Sequence, residues 1–458
     1  MATLKCISPI DGSVVATRET MNLEEAAALC SRVKIAQKAW AEFPVAERIE
    51  LVRHAIALLG EQSARMTHGL AAQMGRPVCY GGEFRGLSER SNYLLEIAEE
   101  SLKPFVVEDT DAVLRQIVRD PLGVVLIIAP WNYPYMTAIN TLVPALVAGN
   151  GVVLKHSEQT LLVGEHLAEV FREAGIPDDV FVNIFLKHDV TAELIAGRHV
   201  DFVTFTGSVR GGKAIETAAA GTFIGVATEL GGKDPAYIRY DADLDVAVEG
   251  TLDGAIFNSG QSCCGIERIY VHESLYDAFV EKAVAFVNAS TLGNPLDAET
   301  TIGPMANIRF AQIVREQIAD AVRRGAVAHV ERMPADDGGA YVTPQVLTNV
   351  SHEMTVMRDE TFGPVVGIMP VKDDDEAVRL MNDSDYGLTA SVWTADAAAA
   401  AEIGSRLETG TVFMNRCDYI DPALCWTGCK DTGRSAGMSV LAYQTLTRPK
   451  SYHLKKKV

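Results

Sequence analysis

Several features that mark protein classes are missing from this sequence. No apolar run approaches the about 20 residues needed to cross a bilayer, and the longest candidate, 141–154, is broken by Pro144, Gly149, Asn150 and Gly151. The opening Met1-Ala2-Thr3-Leu4-Lys5-Cys6 lacks the basic and then apolar pattern of a secretory signal, so a cytoplasmic location and no membrane partner are expected. Cations are in deficit. A formal net charge of −19 leaves no basic footprint for nucleic acid, and Lys455-Lys456-Lys457 reads as a solvated tail. The eight cysteines are too sparse for a disulfide framework. Cys425 and Cys429 have no paired His or Cys at ligand spacing beside them, so no metal site is expected. The Gly-x-Gly-x-x-Gly fingerprint of dinucleotide folds is also absent.

What remains is ordinary globular material, 48% hydrophobic and 22% charged, in a chain of 458 residues that exceeds one hydrophobic core. The first 110 or so residues read as mostly helical. Asn22 with Glu25 three positions on is a capping signature, and Ala26, Leu29, Val33, Ala36 and Trp40 follow at helical spacing. Further helices are expected at 46–66 and 83–102, forming a scaffold layer without a catalytic motif. Residues 112–118 alternate as a strand with one wet face. Strands and helices then alternate, with strands near 124–129, 151–155, 180–185, 200–205 and 223–228. This is the pattern of a parallel sheet wrapped on both faces, whose ligands bind at the carboxyl ends of its strands. A second alternating set follows Gly232.

Three stretches carry chemistry. In Gly260-Gln261-Ser262-Cys263-Cys264, Cys263 follows a Gly that permits a tight bend and has small polar neighbours, as suits a nucleophilic thiol. Glu229-Leu230-Gly231-Gly232-Lys233 offers a carboxylate and Pro130-Trp131-Asn132-Tyr133-Pro134 an amide. Taken singly, Cys263 reads as a small core residue, Asn132 as a turn residue and Glu229 as a salt-bridged strand end. Together with Lys155-His156-Ser157-Glu158, Phe205-Thr206-Gly207-Ser208 and Glu360-Thr361-Phe362-Gly363-Pro364, in this order along nearly the whole chain, they resemble the NAD(P)-dependent aldehyde dehydrogenase superfamily, of the hydrolytic, non-acylating type.

The resemblance implies an α/β fold. It has a parallel Rossmann-type nucleotide domain (1–111 and 122–231), an α/β catalytic domain (232–439) and a small β oligomerisation arm (112–121 and 440–458) that makes a homodimer or homotetramer. It implies that Cys263 attacks an aldehyde, that Asn132 and the Cys263 backbone N–H hold the resulting oxyanion, and that Glu229 activates water to hydrolyse a thioester. Ala129, Pro130, Trp131, Lys155, Ser157, Glu158, Gly207, Ser208, Leu230, Gly231, Glu360 and Phe362 fall where the family binds its cofactor. A carboxylate at Glu158 accepts from ribose hydroxyls and repels a 2′-phosphate, so NAD is expected over NADP. Tyr133, Ser262, Cys264, Asp418, Ile420 and Trp426 fall on the substrate tunnel. The alternatives are an acylating, coenzyme A-dependent enzyme or a catalytically silent protein on the same fold. Two departures stand out: His156 replaces the family's usual Pro, and Leu186-Lys187-His188-Asp189 replaces a commonly Gly-rich loop.

Overall fold

The computed structural model describes residues 2–457. Its nucleotide-side sheet has five parallel strands in the order Phe181–Ile184, Gly151–Lys155, Val124–Ile128, Phe202–Thr206, Gly225–Glu229. Every residue of Val124–Ile128 and Gly151–Lys155 is buried, as strands covered by helices on both faces must be. The chain enters at the central strand, winds outward one way through Gly151–Lys155, then returns to wind the other way from Phe202–Thr206. The switch point between Val124–Ile128 and Phe202–Thr206 opens a crevice at their carboxyl ends.

The second sheet has seven strands in the order Val327–Ala328, Gln345–Thr348, Val365–Val371, Ile266–His272, Asp234–Ile238, Thr389–Trp393, Thr411–Met414. All its pairings are parallel except that of the edge strand Val327–Ala328. Asp234–Ile238 escapes the sequence reading because it opens on Asp-Pro, residues that argue against a central strand. Here Asp234 is buried and accepts from Thr389 Oγ1 at 2.6 Å, which satisfies a carboxylate inside the sheet.

The capping box at Asn22 and Glu25 forms as expected, with both reciprocal hydrogen bonds at 2.9 Å, and starts helix Leu23–Ala41. Other expectations for this region need correcting. The chain begins with an antiparallel hairpin, Thr3–Ile7 with Val14–Glu19, whose alternating burial of Leu4 and Cys6 is the signal the helical reading passed over. The helix expected at 46–66 breaks at Gln62 into Val45–Glu61 and Ser63–Met74, and that at 83–102 breaks at Ile97 into Phe84–Glu96 and Ala98–Leu102. A third sheet joins Val113–Pro121 to the C-terminal strand Thr447–Lys455 and to Phe105–Asp109, a strand not anticipated. No helix among the described residues is long and apolar enough to cross a membrane.

Candidate active site

The crevice deepens into a cavity of about 840 Å³ that runs between the two large sheets, and every site residue expected from the sequence lines it. Cys263 follows a short turn, Phe257–Gly260, in which Asn258, Ser259 and Gly260 are all left-handed, with φ of 53°, 57° and 68°. Two non-glycine residues in that region cost about 1–2 kcal/mol each, so neighbours must hold them. Ser259 Oγ donates to the Gly303 carbonyl at 2.9 Å. Asn258 Oδ1 accepts from Arg76 Nε at 3.2 Å. Gly260 lies so close to Gly363 that a Cβ there would sit 2.3 Å from its carbonyl. The turn lifts Cys263 to the cavity wall, partly exposed.

Asn132 follows strand Val124–Ile128 and precedes helix Pro134–Val147. It is 5% exposed, yet its side-chain amide makes no hydrogen bond among the described residues. Its carbonyl is occupied instead, accepting from Arg76 Nη2 at 2.6 Å and Asn258 Nδ2 at 3.4 Å. Arg76 thus joins the Asn132 loop to the Cys263 turn. It also stacks over Tyr133 at 4.6 Å and pairs with buried Glu83 at 3.0 Å. Glu83 in turn accepts from Met136 N at 2.7 Å, fixing the start of helix Pro134–Val147. Neither Arg76 nor Glu83 carries a sequence signal, because both act through partners remote in the chain.

Glu229 ends strand Gly225–Glu229, and its Oε1 is shielded from solvent with no hydrogen-bond partner among the described residues. Burial pushes this carboxyl up to about 8. The glycines after it let three segments meet: a Cβ on Gly232 would fall 2.2 Å from the Cys263 carbonyl. Lys233 turns away from the cavity into a fully buried pair with Glu267. Glu267 also accepts from Thr361 N at 2.9 Å and Phe362 N at 2.8 Å, so this lysine anchors the loop that carries Glu360 and Phe362. Burial, reinforced by the neighbouring Glu267, pushes Glu360 up to about 8, and its Oε1 accepts from Gly232 N at 3.1 Å. The Trp131 ring stacks on Phe310 at 5.1 Å and meets Phe362 edge-on at 5.5 Å, adding Phe310 to the expected set.

On the other side of the cavity, Ser208 caps helix Val209–Ala219, accepting from Gly211 N at 3.2 Å. This helix start, with Gly207, gives N–H groups suited to a pyrophosphate. Lys155 is pushed down to about 8 by burial, and Glu158 accepts from Lys5 N at 3.0 Å, which ties it to the N-terminal hairpin. His156 is structural. Its Nε2 lies 3.2 Å from the Pro134 carbonyl and its Nδ1 accepts from Ser157 N at 3.0 Å, and burial drops its pKa to about 4, so the ring is neutral. Around Cys263, Ser262 Oγ and Cys264 Sγ both donate to Asp418 Oδ1, at 3.2 and 2.9 Å. Trp426 bonds Gly437 through both backbone groups at 2.9 Å, closing the wall beside Ile420.

The profile of the aldehyde dehydrogenase family matches residues 1–452. A curated relative from Escherichia coli, succinate semialdehyde dehydrogenase [NAD(P)+], is 34% identical over 86% of this chain and 85% of its own. Another, from Deinococcus radiodurans, succinate-semialdehyde dehydrogenase [NADP(+)], is 32% identical over 97% of this chain and 93% of its own. The solved structure of an NAD-dependent aldehyde dehydrogenase from Sinorhizobium meliloti superposes with a TM-score of 0.93 at 31% identity, covering 99% of this chain and 92% of that one. The chain belongs to the aldehyde dehydrogenase family. The fold is that family's fold, and the relatives are NAD(P)-dependent enzymes.

Proposed function

We propose that the protein oxidises an aldehyde to its carboxylic acid by covalent catalysis on Cys263, with hydrolysis assisted by Glu229. The observation that carries this reading is the convergence of three groups on one cavity: the Cys263 thiol, the Asn132 amide, unengaged among the described residues, and the Glu229 carboxyl, whose Oε1 has no hydrogen-bond partner among them. The Cys263 thiolate adds to the carbonyl carbon and the oxygen becomes an anion. The Asn132 NH₂ and the Cys263 N–H, neither spent on another group among the described residues, stabilise that charge, each by about 3 kcal/mol. A nicotinamide dinucleotide, when bound, supplies the hydride acceptor that aldehyde oxidation requires. Glu229 as carboxylate then takes a proton from the water that attacks the thioester on Cys263. A buried base with this carboxyl's raised pKa is matched to such work near neutrality. The acylating alternative gives this base no task.

Helix Val209–Ala219, Ser208, Lys155 and Glu158 fit a dinucleotide's pyrophosphate and ribose, and Glu360 with Phe362 its nicotinamide end. Glu158 supports NAD over NADP. On this reading, residues 1–111 and 122–231 hold the nucleotide and 232–439 the reacting end. Residues 112–121 and 440–458 bind a second copy of the chain. Phe105, Val106 and Val107, half or more exposed on the three-stranded sheet, support that last assignment, since bare strand edges invite pairing. Light scattering that gave a monomer at all concentrations would refute the arm. The activity test follows reduced cofactor by absorbance across aldehydes, with and without coenzyme A. Oxidation without coenzyme A is expected; turnover only with it would overturn the hydrolytic reading. Semialdehydes, named for both curated relatives, head that panel.

A further inference from the structure

The buried arginines Arg48, Arg76 and Arg268 are spoken for, and a half-buried one on the cavity wall is not. Arg48 donates to the carbonyls of Val147, Ala41 and Phe43. Arg76 pairs with Glu83, and Arg268 donates to the Lys233, Leu380 and Met381 carbonyls. Arg90 is different. It projects from helix Phe84–Glu96 onto the wall of the active-site cavity, and its one hydrogen bond among the described residues is a long 3.4 Å contact with Asn140 Oδ1. Among the described residues no carboxylate lies within ion-pair distance of it.

The placement is built into the packing. Gly86 and Arg90 share one face of their helix, as do Met136 and Asn140 on helix Pro134–Val147. A Cβ at Gly86 would lie 2.6 Å from the Met136 sulfur, so the helices approach closely there, and one turn on Arg90 meets Asn140. Asp418, an acidic residue of the cavity wall, spends Oδ1 on Ser262 and Cys264 and makes no ion pair with Arg90. Burial pulls the Arg90 pKa down, opposed by the field of Cys264, Glu83, Asp418 and Cys263, yet a guanidinium keeps its proton. A half-buried guanidinium on a cavity wall, with no ion pair of its own, is open to an anion that enters the cavity. Its planar fork matches a carboxylate's two oxygens.

We propose that Arg90 anchors a carboxylate at the far end of the substrate, so that the preferred substrates are semialdehydes, with an aldehyde at one end and a carboxylate at the other. This rests on the dehydrogenase reading for the aldehyde end only. The test uses the full chain with NAD present, carrying Cys263→Ala so that nothing turns over, and with Arg90 kept or replaced by Lys or Met. Calorimetry compares succinate semialdehyde with its methyl ester. The Arg90 protein binds the acid about 30- to 100-fold more tightly than the ester, Arg90→Lys narrows that ratio and Arg90→Met removes it. A ratio near unity with Arg90 present, or one that either substitution leaves untouched, would overturn the anchor. Arg90→Lys decides the matter if the Met protein does not fold. Arg90-dependent binding without aldehyde oxidation by the Cys263 protein would refute the dehydrogenase reading and leave the anchor standing. Oxidation without preference for the acid would do the reverse.

Discussion

Two regions meet at the cavity and contribute in opposite ways. The loops at the strand ends bring the reacting atoms in short motifs: Asn132 after one strand, Glu229 at the end of another, Cys263 after a left-handed turn. The N-terminal helical layer has no motif at all, yet Arg76, Glu83 and Arg90 reach from it into the site. The difference teaches that chemistry is displayed locally whereas aim and selectivity are imposed from a distance. Arg76 touches Asn132, 56 residues on, and Asn258, 182 residues on. One side chain thereby sets the relative position of the oxyanion donor and the nucleophile's turn.

Substitutions sharpen this contrast, beginning with the strand-end loops. Cys263→Ala lowers steady-state oxidation below about 10⁻⁴ of the parent, since the covalent route is lost. Its NAD binding, followed by fluorescence titration, stays measurable. Asn132→Ala lowers kcat by about 10²–10³, the usual loss for one oxyanion donor. In the helical layer, Arg76→Met acts on stability first. It strands Glu83 in the interior and costs about 3–5 kcal/mol in denaturant unfolding. If Arg76→Met left both stability and kcat intact, the proposed division between the two regions would collapse. Lys233→Met, which leaves Glu267 buried and unpaired, costs a similar amount. That effect would mark this lysine as structural despite its place in the Glu229 motif.

The smallest effect is in pH. Glu229 works as a base only when ionised, and burial raises its carboxyl to about 8. The rate of acyl-enzyme hydrolysis in single turnovers therefore rises with pH through about 8 and is flat above it. Glu229→Gln abolishes that inflection and slows release of the acid. A pH-independent hydrolysis rate in the parent would remove Glu229 from the role.

How legible the molecule is from its sequence follows the same division. Strands of the nucleotide-side sheet are continuous apolar runs and can be read almost to the residue, as Gly151–Lys155 is. The motif residues come together because each lies at a strand end or a turn whose geometry is local. Asp234–Ile238 is not legible, because its opening charge is satisfied by Thr389, 155 residues away. Phe105–Asp109 is not legible either, because a strand on an exposed sheet has no buried face to impose alternation. Arg76, in the loop after helix Ser63–Met74, and Arg90, on helix Phe84–Glu96, look like any surface cation until the layer is packed. Their surroundings, not their neighbours in the chain, define them.

The central claim is that the carbon being oxidised is bonded to the Cys263 sulfur. Glu229→Gln protein, mixed with NAD and an aldehyde that the parent turns over, then quenched in acid and measured as intact mass and peptides, tests it most directly. The account predicts an acyl adduct that accumulates on Cys263 and disappears slowly. No adduct, or one on Cys264, would contradict it.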